Sequence, residues 1–129
     1  DKIHSIIIVG AGNLGKALAN YANFEKRGFV VKAMFDTNEA LIGKECRGAV
    51  IRPMSEMEAF IKDNNIEILA LTIPKGSATE VVQTAIKAGI KGIWNFADID
   101  LEVPDNVVVE NVHLSESLMT LSYNITRLH

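Results

Sequence analysis

Short apolar runs rich in β-branched residues alternate along this chain with stretches whose apolar positions recur every three to four residues. The first run, Ile6-Ile7-Ile8-Val9, predicts a strand buried on both faces. Residues 14–24 follow with Leu14, Leu18, Tyr21 and Ala22 at core spacing, which predicts the first helix. Residues 29–35 predict a second strand ending at Asp36, and 49–51 a short third strand. Residues 66–72, 92–95 and 107–110 supply the fourth, fifth and sixth strands. Pro53 opens a helix over 54–63 striped by Met54, Met57, Phe60 and Ile61, which is core filler rather than a ligand set. Ser77 is the expected N-cap of a helix over 78–88, with Glu80 in the capping-box position and Gly89 as its stop. Ser115, with Glu116 just inside, is the expected N-cap of a last helix over 116–128. Strands alternating with helices predict an α/β fold built on a doubly wound parallel sheet, its first two strands joined by a right-handed crossover.

Composition narrows the class. The chain of 129 residues fits one domain, and 48% hydrophobic with 22% charged residues is globular composition. No apolar run approaches the roughly 18–20 residues of a membrane span. Asp1, Lys2 and His4 before the first strand, with no small-residue cleavage site after it, argue against a signal peptide. The single cysteine, Cys46, excludes an intrachain disulfide framework and fits a reducing compartment, so the expected place is the cytoplasm. Flanked by Glu45 and Arg47, it reads as a structural or surface thiol. A net charge of −3 argues against this domain gripping nucleic-acid phosphates itself.

The chemistry concentrates after the first strand. Gly10, Ala11, Gly12, Asn13, Leu14 and Gly15 make a G-x-G-x-x-G turn between a strand and a helix, the context a dinucleotide-binding, Rossmann-like fold requires. Gly10 permits the turn, Gly12 lets backbone approach a pyrophosphate, and Gly15 lets helix and strand pack closely. Asp36 lies twenty-one residues after Gly15 at a strand end, where an acid accepts hydrogen bonds from an adenine-ribose diol. Its charge repels a 2′-phosphate, and Thr37-Asn38-Glu39 supply no arginine, so the expected cofactor is NAD(H) rather than NADP(H). The loop Thr72-Ile73-Pro74-Lys75-Gly76-Ser77 and the segment Asn95-Phe96-Ala97-Asp98 follow strand C-termini on the same edge. His4, His113 and His129 have no partner at metal-ligand spacing, no Ser/His/Asp set is legible, and no complete Walker motif is present, since Ala17 rather than Ser or Thr follows Gly15-Lys16. No metal and no catalytic residue is expected, and the chain reads as a binding module rather than an enzyme. His113 is the one imidazole on the ligand edge, and a solvated role outweighs proton transfer there. Leu118, Leu121, Ile125 and Leu128 stripe the last helix, which either covers its own sheet or reaches a second subunit.

V-G-A-G-N-L-G-K-A-L-A-N-Y over 9–21, R-G-F over 27–29, F-D at 35–36, I-G at 42–43, G-I-K-G-I-W-N-F-A over 89–97, V-P at 103–104 and L-S-Y over 121–123 resemble the redox-sensing transcriptional repressor Rex along essentially the whole chain. The resemblance implies a homodimer whose subunits carry an N-terminal winged-helix DNA-binding domain, a Rossmann domain for NADH or NAD⁺, and a C-terminal helix exchanged between subunits. Residues 1–113 would be the Rossmann domain and 114–129 the exchanged helix, with operator DNA met only through a winged helix absent from this chain. The resemblance further implies that Gly10 to Gly15 hold the pyrophosphate and Asp36 the adenine ribose. Ile73, Pro74, Asn95, Phe96 and Ala97 would lie near the nicotinamide, and Tyr21 would respond to its redox state. Two positions depart from the family pattern. Asp98 stands where a proline is usual, and His113 where an aspartate pairs with the tyrosine, so His113 is a second redox-switch candidate. The competing readings are a CoA-binding Rossmann domain and the cofactor half of a dehydrogenase. Asp36 disfavours CoA, whose 3′-phosphate a carboxylate repels.

Overall fold

The computed structural model describes residues 3–128. His129, the third histidine of the chain, lies outside the described residues, as do Asp1 and Lys2. The chain runs β1 (His4–Val9), α1 (Asn13–Ala19), α2 (Asn23–Lys26), β2 (Phe29–Asp36), β3 (Glu45–Cys46) and β4 (Ala49–Pro53). A 3-10 turn (Met54–Glu56) leads into α3 (Met57–Asn64), followed by β5 (Ile68–Leu71), α4 (Lys75–Lys87), β6 (Gly92–Asn95), β7 (Val108–Asn111) and α5 (Leu114–Thr126). One seven-stranded sheet has the order β3-β4-β2-β1-β5-β6-β7. All neighbouring pairs are parallel except β3 with β4. Removing β3 leaves the strand order of a dinucleotide-binding sheet, in which the direction of winding reverses between β1 and β5.

The apolar runs form the core as their patterning requires. Ile7, Val9, Phe35, Leu69 and Leu71 pack with Met57 and Ile61 of α3 and Val82 of α4 on one face. Ile6, Ile8, Met34, Ile51 and Ala70 pack with Ala19 of α1 on the other. Met57 and Ile61 are buried and Met54 and Phe60 partly so, and the helical stripe is core.

Several boundaries differ from the sequence expectation, each for a local reason. The helix expected over 14–24 is broken into α1 and α2. The Asn20 side-chain amide donates to the Lys16 carbonyl at 2.9 Å, and the Tyr21 N–H bonds back to Leu18 at 3.2 Å, tightening the turn until the helix stops. Tyr21 and Ala22 are consequently exposed rather than core. Pro53 opens the helical stretch as expected, but as the N-cap of the 3-10 turn that leads into α3, and it also closes β4. Ser77 is not the N-cap of α4: Pro74, at φ −60° and ψ 149°, starts the helix three residues earlier, so Ser77 and Glu80 lie inside it. Gly89 ends it as expected, at φ +106°. Ser115 is likewise inside α5, whose N-cap is His113 with no side-chain capping bond. The strand expected over 66–72 is shorter, because Ile66 and Thr72 flank β5. The edge strand β3 went unanticipated. Arg47 (φ +47°) and Gly48 (φ +87°) form the two-residue turn that folds it antiparallel onto β4.

Every residue of α5 is exposed, including Leu118 at 68% and Leu121 at 56%. Of the two expected placements, α5 does not cover its own sheet within one chain. On the sheet face beside α2, a recess of about 440 Å³ is lined mainly by Ile6, Phe24, Phe29, Ile68, Trp94 and Val108.

Candidate functional site

The turn from β1 into α1 places three glycines under three different constraints. Gly10 has φ +107°, a conformation open to glycine, and a Cβ there would collide with the Thr72 hydroxyl. A Cβ on Gly15 would run into the Gly10 carbonyl oxygen, which sets how closely α1 crosses the end of β1. A Cβ on Gly12 would meet nothing within 4 Å, so no protein neighbour demands that glycine. Gly12 is the N-cap of α1 and supplies no side chain to its first turn. The first N–H groups of a helix have no partner within it, and such groups are what an anion binds.

Asp36 ends β2 and folds onto this turn. Its Oδ2 accepts the Ala11 N–H at 2.7 Å and its Oδ1 accepts the Asn38 N–H at 2.8 Å. Each oxygen retains a further lone pair for an outside donor. Thr72, at the end of β5, completes the frame. Its N–H and its hydroxyl both bond the Val9 carbonyl at 2.9 Å, and the hydroxyl also reaches the Gly10 carbonyl at 3.1 Å. The sequence marks Thr72 only as a strand end and loop start. The available signal was a hydroxyl residue closing a strand that neighbours the glycine-turn strand.

The other expected residues fall into three groups. Asn13, exposed, and Leu14, half-buried, start α1, and Ile73 lies against the glycine turn with Pro74 exposed beside it. Asn95, Phe96 and Ala97 close β6 on the same edge, one strand beyond β5. The Asn95 side chain is buried, with donors and acceptor occupied by Ile99, Asn111 and Ala97. Tyr21, 51% exposed, accepts a hydrogen bond from Asn23 and stands edge-on to Phe24 at 4.8 Å. Edge-on contacts continue from Phe24 to Trp94 at 5.8 Å and from Trp94 to Phe96 at 4.7 Å, linking Tyr21 to the loop after β6. His113 sits 3.8 Å from Glu116, exposed, and is not joined to Tyr21 within the chain. Among the described residues no cluster of three or more His, Cys, Asp or Glu is placed to hold a metal ion, and no helix is long and apolar enough to cross a membrane.

A Rossmann-type sheet with this turn defines a nucleotide-binding class of domain. The family model described as CoA binding domain matches residues 1–99, and the chain belongs to that family. Similar proteins include Rex repressors, as the motifs over 9–21 and 89–97 anticipated. The redox-sensing transcriptional repressor Rex of Clostridioides difficile (strain 630) is 55% identical over 123 residues, covering 95% of this chain and 59% of that protein. The crystal structure of RSP, a Rex-family repressor, in complex with β-NADH matches with a TM-score of 0.92 at 50% identity, covering 97% of this chain and 60% of that one. RSP in complex with β-NAD⁺ and operator DNA matches equally, at 0.92 and 50%, covering 97% and 58%. The chain thus spans about three fifths of the length of the proteins it matches. These relatives are named as repressors, not as enzymes.

Proposed function

We propose that this chain is the NAD(H)-binding, redox-sensing and dimerising domain of a Rex-type transcriptional repressor. The observation that carries the reading is the Asp36 carboxylate fastened to the Ala11 N–H, with open space over Gly12 alongside. Residues from Gly10 to Gly15 cradle the pyrophosphate, and Asp36 accepts the adenine-ribose hydroxyls. Because Asp36 holds the adenine half beside β2, the other half extends past β5 and β6. There Ile73, Pro74, Asn95, Phe96 and Ala97 border the nicotinamide. The cofactor supplies the signal itself, since the oxidised ring carries a positive charge that the reduced ring lacks. A carboxylate at this place disfavours the 3′-phosphate of CoA, whatever the family's description. Replacing Asp36 with Ala is expected to weaken NADH binding about tenfold or more, the scale of a lost hydrogen bond to a charged group. Fluorescence titration of the reduced nicotinamide reads it, and unchanged affinity would remove Asp36 from the site.

Tyr21 and His113 are the candidates for reporting redox state. Exchanging His113 for Asp is expected to change the ratio of NADH to NAD⁺ affinity, measured by titration of each form; an identical ratio in both proteins would exclude His113. Dimerisation fits two unpartnered apolar surfaces on one molecule, the stripe of α5 and the recess around Trp94. A helix exchanged between two copies covers both. Operator DNA is bound by the part of the relatives' length that this chain does not span, in keeping with the net charge of −3 here. A repressor acting on operator DNA works in the cytoplasm.

A further inference from the structure

Asn95 is the one fully buried polar side chain among the described residues, 1% exposed. Burying an amide costs stability unless its hydrogen-bonding groups are matched, and here three are. Its Nδ2 donates to the Ile99 carbonyl at 3.0 Å and to Asn111 Oδ1 at 2.9 Å, while its Oδ1 accepts the Ala97 N–H at 3.0 Å. The main chain runs the same way: Phe96 N–H bonds Leu71 and Val112 N–H bonds Asn95, each at 2.9 Å. The Asn95 amide therefore ties two segments together. One is the loop 96–99 at the ligand edge. The other is the end of β7, separated from α5 by Val112 and His113 alone.

We infer that Asn95 is a positioning residue that couples the loop after β6 to the root of α5, with Asn111 as the receiving group. The inference rests on the NAD(H) reading above, which puts the nicotinamide half over this loop. A side-chain amide is planar, so its oxygen and nitrogen turn together. A ligand that shifts Ala97 turns the Asn95 amide and moves the bond to Asn111. An apolar side chain would hold β6 and β7 side by side without transmitting any direction. Asn111 is exposed, and its substitution leaves the buried Asn95 contacts to Ile99 and Ala97 in place.

The test measures amide hydrogen exchange over residues 112–118, with and without saturating NADH, in the wild-type protein, Asn111→Ala and Asn111→Asp. NADH titration of each protein reads binding separately. Coupling between sites amounts to about fivefold or more, so NADH is expected to change exchange in this segment by about that factor in wild type. Asn111→Ala is expected to bind NADH within about twofold of wild type yet lose the exchange response. Asn111→Asp keeps an acceptor at the same place and is expected to restore the response. A response preserved in Asn111→Ala would overturn the inference, as would wild type that binds NADH and shows none. Absence of NADH binding in wild type would instead refute the underlying cofactor reading, and this coupling with it.

Discussion

At the scale of single residues, Gly12 and Gly15 are the same amino acid for opposite reasons. Gly15 answers to the protein, because its missing Cβ makes room for the Gly10 carbonyl. Packing makes no such demand at Gly12, where a Cβ meets no protein atom. Gly15→Ala is therefore expected to destabilise the fold by about 1–3 kcal/mol, the cost of forcing a methyl group into a packed contact. Gly12→Ala is expected to leave stability within about 0.5 kcal/mol while abolishing NADH binding. Thermal melts paired with titrations separate the two. Equal losses of stability would mean that the turn is a packing feature only. The spacing of the glycines and Asp36 was legible because a strand, a turn and a strand end identify themselves locally. The Thr72 bonds were not, because β5 meets β1 across some sixty residues of chain and only the sheet order brings its hydroxyl to Gly10. Asn95 was legible as a position on the ligand edge. Its saturated amide was not, since its partners lie on a loop and a strand whose register no local pattern sets.

At the scale of elements, periodicity found the cores and misjudged the ends. The stripe of α3 follows from Met57 and Ile61 at helical spacing. Capping preference puts the N-caps at Ser77 and Ser115, yet the N-cap of α4 is Pro74 and that of α5 is His113, neither with a side-chain capping bond. Proline's fixed φ begins a helix without that bond, and no sequence rule ranks the two devices. The α1–α2 break depends on the Asn20 amide choosing a main-chain acceptor, which spacing alone does not reveal. The helix α5 carries the clearest consequence. Its leucines are exposed along its whole length, a surface that calls for a partner. Leu121→Glu is expected to convert a dimer to monomers at micromolar concentration, because a charge in the seam loses the apolar contact and must be desolvated. Sedimentation equilibrium reads this. A variant that remains dimeric would move the interface away from α5.

At the scale of the whole molecule, the parallel strands and their order follow from strand–helix alternation and the requirement that crossovers stay on covered faces. That order brings the glycine turn, Asp36, Thr72 and the loop after β6 to one edge. An apolar recess lies elsewhere, on the sheet face between α2 and β7, apart from the edge proposed for the ligand. Three edge-on ring contacts and the Asn95 amide are the physical links between them. The central claim is that the edge holds NAD(H). Calorimetric titration of NADH, NAD⁺, NADPH and CoA into the same preparation tests it most directly. The account predicts one NADH per chain, NADPH weaker by about tenfold or more because Asp36 repels the 2′-phosphate, and no heat from CoA. Tight CoA binding without NADH binding would contradict it.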